Sequence, residues 1–147
     1  MRIELVVGDW SSDGHGQTHS VWFEVTSSDK DGDVTENELR DAFIEGCAIL
    51  DQEPNDPSFG EPSLPFCESY EDSIVPASFV VKLASHGVDV YDFFDGLDRA
   101  DACPSIAGPD AWAQLWMAVA KIGNPNLDIV QCANKNSIRI GGYGLFY

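Results

Sequence analysis

The densest group of side chains that could carry chemistry lies near the N-terminus, between Asp9 and His19. These 11 residues include two carboxylates and two of the three histidines. Carboxylates and imidazoles at a strand end can bind a divalent metal ion, and a His–Asp pair can perform general acid–base catalysis. One alternative function is therefore a small metal-dependent hydrolase, with one ion held by Asp9, Asp13, His15 and His19. The same residue types also occur in polar hairpin loops that bind nothing.

A second group of carboxylates, in the run 29–33, resembles the start of an EF-hand calcium loop. The resemblance is partial, because the glycine at the sixth position is missing and a count of about twelve residues from Asp29 ends on Arg40. Thr35, with Glu38 three residues later, has instead the pattern of a helix capping box. This pattern favours an acidic connector leading into a helix over a calcium site.

Charge is the strongest signal in the composition, since 25 acidic residues stand against 8 basic ones and give a formal net charge of −17. The excess is concentrated between Glu24 and Asp72, whereas Ala111 to Tyr147 is weakly basic. An anionic surface repels nucleic acid and anionic membranes, and it accelerates association with a cationic partner. The alternative is an acidic face that serves only solubility.

The charge pattern favours a non-enzymatic acidic binding protein, such as an intracellular inhibitor, an immunity protein or a nucleic-acid mimic. Its expected partner is a protein with a basic surface, of the kind that a nuclease-type toxin or a nucleic-acid-handling enzyme uses to hold nucleic acid. The carboxylates expected to contact this partner are Asp29, Asp31, Asp33, Glu36, Asp41, Glu45, Asp92 and Asp95.

Two strands are predicted near the N-terminus, because apolar and polar residues alternate over 2–7 and 20–25. Turn-forming residues between them indicate a hairpin with a long loop. Residues that lie opposite each other in a hairpin point to the same face of the sheet. The apolar residues of both strands therefore point to the core together if Val7 lies opposite Val21. The same ladder would then bring Asp9 opposite His19.

Helical spacing of apolar residues predicts three or four helices, over 35–50, 76–87, 89–100 and 109–123. In the third, Asp92 and Asp95 would lie on a solvated side and extend the anionic surface of the first. In the fourth, Trp112 and Trp116 stand one turn apart, which is more typical of core residues than of a cofactor platform.

The tail from Ser137 alternates again and predicts a final strand, with a bulge at Gly141 and Gly142. Pairing of this strand with the hairpin would complete a small antiparallel sheet packed against the helices. We therefore expect an α+β fold in which residues 1–147 form a single acidic domain. The proline-rich segment 52–66 is predicted to be a long loop, and a further alternative is a small-ligand-binding domain with this loop as its lid.

The sequence lacks the apolar run of a signal peptide and the roughly 20 apolar residues that would cross a bilayer. Its four cysteines are far apart and include no C-x-x-C pair, so Cys47, Cys67, Cys103 and Cys132 are predicted to be free thiols. A cytoplasmic location is expected, with no membrane partner and no direct contact to nucleic acid. No cofactor is expected, unless the N-terminal hairpin holds a divalent metal ion.

Overall fold

One face of the N-terminal hairpin and three α-helices supply most of the hydrophobic core. The computed structural model describes residues 1–10, 16–51, 75–97, 104–133 and 138–146. The strands in these ranges are β1 (Arg2–Trp10), β2 (Gly16–Ser27), β3 (Phe94–Asp95), β4 (Ser105–Ile106), β5 (Leu127–Cys132) and β6 (Ile138–Phe146). The α-helices are α1 (Glu36–Ile49), α2 (Ala77–Ser85) and α3 (Pro109–Gly123), and a short 3-10 helix covers Val90–Asp92.

The main sheet has the strand order β5-β2-β1-β6. Strand β2 pairs in the antiparallel sense with both β1 and β5, which together with the three α-helices confirms the expected α+β fold. The C-terminal strand β6 joins this sheet beside β1 as expected, but it pairs in the parallel sense and not in the predicted antiparallel sense. The sequence patterns did not predict β5, which pairs with β2. The register of β6 skips Gly142 between the partners of Val6 and Val7, so the predicted bulge at the glycines is confirmed.

The register of the hairpin differs from the predicted one by two residues. Val21 pairs with Leu5, and Val7 pairs with His19. The ladder continues to Trp10 opposite Gly16, so the strands run further into the connecting segment than expected. Alternation fixes only which residues share a face, and a shift of two residues leaves the faces unchanged. The core face of the hairpin is accordingly as predicted, with Ile3, Leu5, Val21, Phe23 and Val25 buried.

Helices α1 and α2 begin at the predicted positions. Thr35 is the N-cap of α1 in a complete capping box, and Pro76 is the N-cap of α2. The predicted apolar stripes are buried: Leu39, Ala42, Phe43, Cys47 and Leu50 in α1, and Phe79, Val80 and Leu83 in α2. Lys82 of α2 donates to the carbonyl oxygen of Leu50 at 3.4 Å and to Asp51 at 3.0 Å. One side chain therefore holds α2 against the C-terminal end of α1, where a cation is favourable.

Helix α3 contacts both the sheet and α1, which explains why it is apolar over most of its circumference. Trp112 and Trp116 are fully buried, and their predicted place in the core is confirmed. None of the helices in the described ranges is both long enough and apolar enough to span a membrane.

The predicted third helix over 89–100 is wrong within the described residues. Asp89 accepts a hydrogen bond from the backbone of Tyr91 and starts the 3-10 helix, after which β3 pairs with β4. Gly96 has φ +76°, a conformation that no right-handed helix contains. The segment is also rich in aromatic and aspartate residues, which are poor helix formers. In the observed conformation Phe94 is buried, and Val90, Phe93 and Leu97 are half-buried.

Candidate functional site

The connector between β2 and α1 is held by the capping box. The hydroxyl of Thr35 accepts from the backbone N–H of Glu38 at 3.2 Å, and the Glu38 carboxylate accepts from the backbone N–H of Thr35 at 2.7 Å. Lys30 donates to the same carboxylate at 2.9 Å. The backbone hydrogen bond from Thr35, followed by that from Lys30, lowers the pKa of Glu38 below its ordinary value. The Glu38 carboxylate is thus engaged in hydrogen bonds at the start of α1.

Asp29 fixes the other end of this connector. It accepts hydrogen bonds from the Ser27 hydroxyl and, at 3.2 Å, from the side-chain amide of Asn126 in the turn before β5. Asp31 and Asp33 remain exposed to solvent. Among the described residues, no three His, Cys, Asp or Glu side chains form a group that could hold a metal ion. The contacts of Asp29 and Glu38 are those of an acidic connector that caps a helix.

Helix α1 presents carboxylates on the side away from the core. Glu36 pairs with Arg40 at 2.8 Å, so the cation of this helix is already engaged. Asp41 and Glu45 stand one turn apart and are both exposed. Within the described ranges, no ion pair joins Asp31, Asp41 or Glu45 to a basic group. We call Asp31, Asp33, Asp41 and Glu45 the α1 acidic face.

The proposed metal ligands of the hairpin are only partly described. Asp13 and His15 lie outside the described residues. Asp9 pairs with Gln17 across the ladder, so the predicted pairing of Asp9 with His19 is wrong, and His19 occupies a diagonal position opposite Val7. The metal site built from Asp9, Asp13, His15 and His19 stays a prediction.

Asp92 and Asp95 are exposed, but they do not lie on a helix that continues the α1 acidic face. Asp92 closes the 3-10 helix, and Asp95 is in β3 opposite Ser105. Their place in the fold was predicted incorrectly because the segment was read as one helix. Whether they contact a partner is a separate matter and stays a prediction.

Helix α3 separates Asp92 from the α1 acidic face. Trp116 stacks on Phe43 of α1, and Gly123 approaches the backbone of Ala42. Ala118 and Lys121 lie near Asp92 and, at about 100° per residue, point to the opposite side of α3. The carboxylates predicted to form one surface are therefore divided between two sides of this helix.

A surface groove lies on the Asp92 side of α3. It consists of two adjoining clefts of about 310 and 440 Å³ that share Asp92, Phe93, Ala118 and Lys121. The first extends towards β5, where Gln114 donates to Gln131 at 2.7 Å, and the second extends towards 86–89. The groove could not be predicted from the sequence, because its lining residues come from four separate segments that carry no shared motif.

The two cysteines of the described residues are free thiols, as predicted. Cys47 is buried in α1, and desolvation raises the pKa of its thiol to about 12. Cys132 is half-buried in β5. Because the thiolate is the reactive form, Cys47 is suited to packing and not to nucleophilic chemistry at neutral pH.

Compared with protein-family models, curated proteins and solved structures, the chain matches none. The α1 acidic face and the groove beside α3 are therefore the features of the molecule from which a function is inferred.

Proposed function

We propose that this protein is a non-enzymatic acidic binding protein that occupies a basic surface of another protein. An inhibitor, an immunity protein and a nucleic-acid mimic all act in this way. A nuclease-type toxin or another nucleic-acid-handling enzyme is a suitable partner, because its groove is built to receive a row of phosphate charges. We place the encounter in the cytoplasm.

The observation that carries the proposal is the pair of exposed carboxylates Asp41 and Glu45, which stand one turn apart on α1. Within the described ranges, no ion pair joins either of them to a basic group. Like charges at this spacing destabilise a helix slightly. A sequence selected only for stability would place a lysine or arginine at one of the two positions. Two unneutralised carboxylates are instead what a cationic partner can pair with.

The local charge balance supports the same proposal. Between Glu24 and Glu45 the chain carries 8 acidic residues and 2 basic ones, Lys30 and Arg40. Both basic side chains are engaged by carboxylates of their own segment, Glu38 and Glu36. The field outside this surface is therefore negative, and it steers a basic protein towards α1.

The test is capture of partners from a lysate of the native host on the immobilised full chain. It is run at ionic strengths of about 0.1 M and about 1 M, where charges are screened over about 10 Å and about 3 Å. We expect a basic protein that is retained at low salt and released at high salt. Its affinity is then measured with the purified protein.

The decisive comparison is between two variants of equal net charge. Asp41→Asn/Glu45→Gln removes two exposed carboxylates of α1, and Glu24→Gln/Asp110→Asn removes two exposed carboxylates elsewhere. We expect the first variant to raise the Kd for the captured protein by about tenfold or more and the second by less than about threefold. Equal affinities for the two variants would contradict a recognition role of the α1 acidic face.

The metal-dependent hydrolase remains the alternative, and it is tested separately. Untagged protein is analysed for bound metal, and its Tm is measured with added zinc, manganese or calcium ions. A bound stoichiometric ion that is lost in a His19→Ala variant would favour the hydrolase over the binding protein.

A further inference from the structure

The groove beside α3 combines an apolar floor with one wall that carries two carboxylates. Phe93 and Ala118 lie where its two clefts meet, and Met117 and Ile129 continue the floor towards the sheet. Asp89 and Asp92 are exposed on the wall that residues 86–93 form. A ligand that fits this arrangement has an apolar part and a charged part close together.

The charges of the groove favour a cation as the charged part. Among the residues that the structure describes, Lys121 is the only lysine or arginine that lines either cleft, and its ammonium already lies 3.9 Å from Asp128. Asp89 and Asp92 outnumber it. The net charge of −17 on the whole chain adds a field that opposes the approach of an anion.

The shape of the groove favours a segment of a protein over an enclosed small molecule. Both clefts are partly open to solvent, whereas small-molecule sites bury most of the ligand surface. The groove follows α3 from Gln114 to Ile122, which corresponds to about 12 Å of helix. Beside it Tyr91 is 79% exposed, and tyrosine is enriched where proteins meet.

We propose that this groove docks an amphipathic basic segment of the partner protein. An apolar side chain of that segment packs on Phe93 and Ala118, and a neighbouring lysine or arginine pairs with Asp89 and Asp92. The proposal rests on the proposed function for the basic character of the partner. It adds a second contact, on the side of α3 that faces away from α1.

The probe for this site is the capped tripeptide Arg-Phe-Arg, titrated into the isotope-labelled full chain and followed by amide chemical shifts. We expect the largest shifts at 86–93 and 117–122, and much smaller shifts with the capped peptide Glu-Phe-Glu. Equal shifts with both peptides, or shifts confined to Asp41 and Glu45, would overturn the proposal.

Matched variants locate the binding. Ala118→Trp fills the groove and Asp92→Asn removes a wall charge, and we expect each to raise the Kd for Arg-Phe-Arg by about fivefold or more. Ala48→Trp on α1 and Glu24→Gln on β2 are comparable changes at exposed positions outside the groove, and we expect the Kd to stay within about twofold. Because Asp92 is exposed, its variant tests the site even if Ala118→Trp impairs folding. An unchanged Kd in the Asp92→Asn variant would refute the assigned wall contact.

The outcomes also separate this proposal from the proposed function. If the affinity for a natural partner depends on Asp41 and Glu45 but is unchanged by Ala118→Trp and Asp92→Asn, the proposed function is supported and the groove is not a docking site. Peptide binding in the groove without any salt-sensitive basic partner would support the site and remove the proposed function.

Discussion

A Cβ atom placed on Gly123 of α3 would stand 1.7 Å from the carbonyl oxygen of Ala42 in α1. A Cβ atom placed on Gly46 of α1 would likewise stand 2.0 Å from the carbonyl oxygen of Val119 in α3. Small residues on both helices therefore let the two backbones touch. This contact fixes α1 on one side of α3, and it thereby sets the position of the α1 acidic face relative to the groove.

We predict that Gly123→Ala destabilises the protein by about 2 kcal/mol or more, because the neighbouring backbone cannot move without separating the helices. The measurement is the free energy of unfolding from urea titrations. Gly32→Ala is the matched control, since its nearest contact would be Lys30 at 3.9 Å. A loss of stability equal to that of the control would contradict the close contact.

Phe43 and Trp116 provide a second test of the same interface. Their ring centroids are 4.4 Å apart with an interplanar angle of 3°, and both side chains are fully buried. We predict a coupling of about 1 kcal/mol in a double-mutant cycle that combines Phe43→Leu and Trp116→Leu. Urea unfolding of the two single variants and the double variant gives this number. Strict additivity would show that the stacking contributes nothing beyond burial.

The helices and their caps could be predicted from sequence, because their signals are local. Thr35 and Glu38 form a capping box from two side chains three residues apart, and Pro109 and Gly123 mark both ends of α3. The hairpin register could not be fixed, since alternation specifies a face but leaves shifts of two residues open. The connecting segment decides among them.

The candidate surfaces were only partly predictable for a different reason. The acidic character of α1 follows from composition and helical spacing. The groove depends on the path of the chain over 89–93, where apolar spacing predicts the start of a helix over 89–100, whereas the structure has a 3-10 helix over Val90–Asp92 and a positive φ at Gly96. Its floor joins Phe93, Ala118 and Ile129, whose proximity follows from tertiary packing and from no sequence pattern.

The capping box predicts a specific pH dependence. The pKa of Glu38 is lower in the folded protein than its ordinary value of 4.5, so its contribution to stability is present above that value and is lost as pH falls through the folded pKa. We expect Glu38→Gln to reduce the loss of unfolding free energy on acidification below about pH 4.5. Glu24→Gln, at an exposed position of β2, serves as the control. Parallel pH profiles for wild type and Glu38→Gln would contradict the linkage.

The thiols are predicted to differ in reactivity. Cys47 is buried with its pKa raised to about 12, whereas Cys132 is half-buried. We expect iodoacetamide at pH 8 to alkylate Cys132 in the native protein while Cys47 reacts only on unfolding. Peptide mass spectrometry after timed quenching distinguishes the two. If Cys47 is alkylated at the same rate in buffer and in denaturant, its side chain is not protected by the core.

The last prediction separates recognition from solubility as the reason for the acidic helix. Glu45→Lys would place an ammonium one turn after Asp41 and near the C-terminal end of α1, where no basic residue stands in the last turn. The new pair with Asp41 and the positive charge near the C-terminal end both stabilise the helix. We therefore expect the free energy of unfolding to rise by about 0.5 kcal/mol at low salt. Affinity for the basic partner should fall in the same variant, because the partner then meets a cation. A variant that is more stable and binds less well is expected if selection kept these carboxylates for recognition. If Glu45→Lys raises stability and leaves partner affinity unchanged, the carboxylates of α1 serve solubility alone.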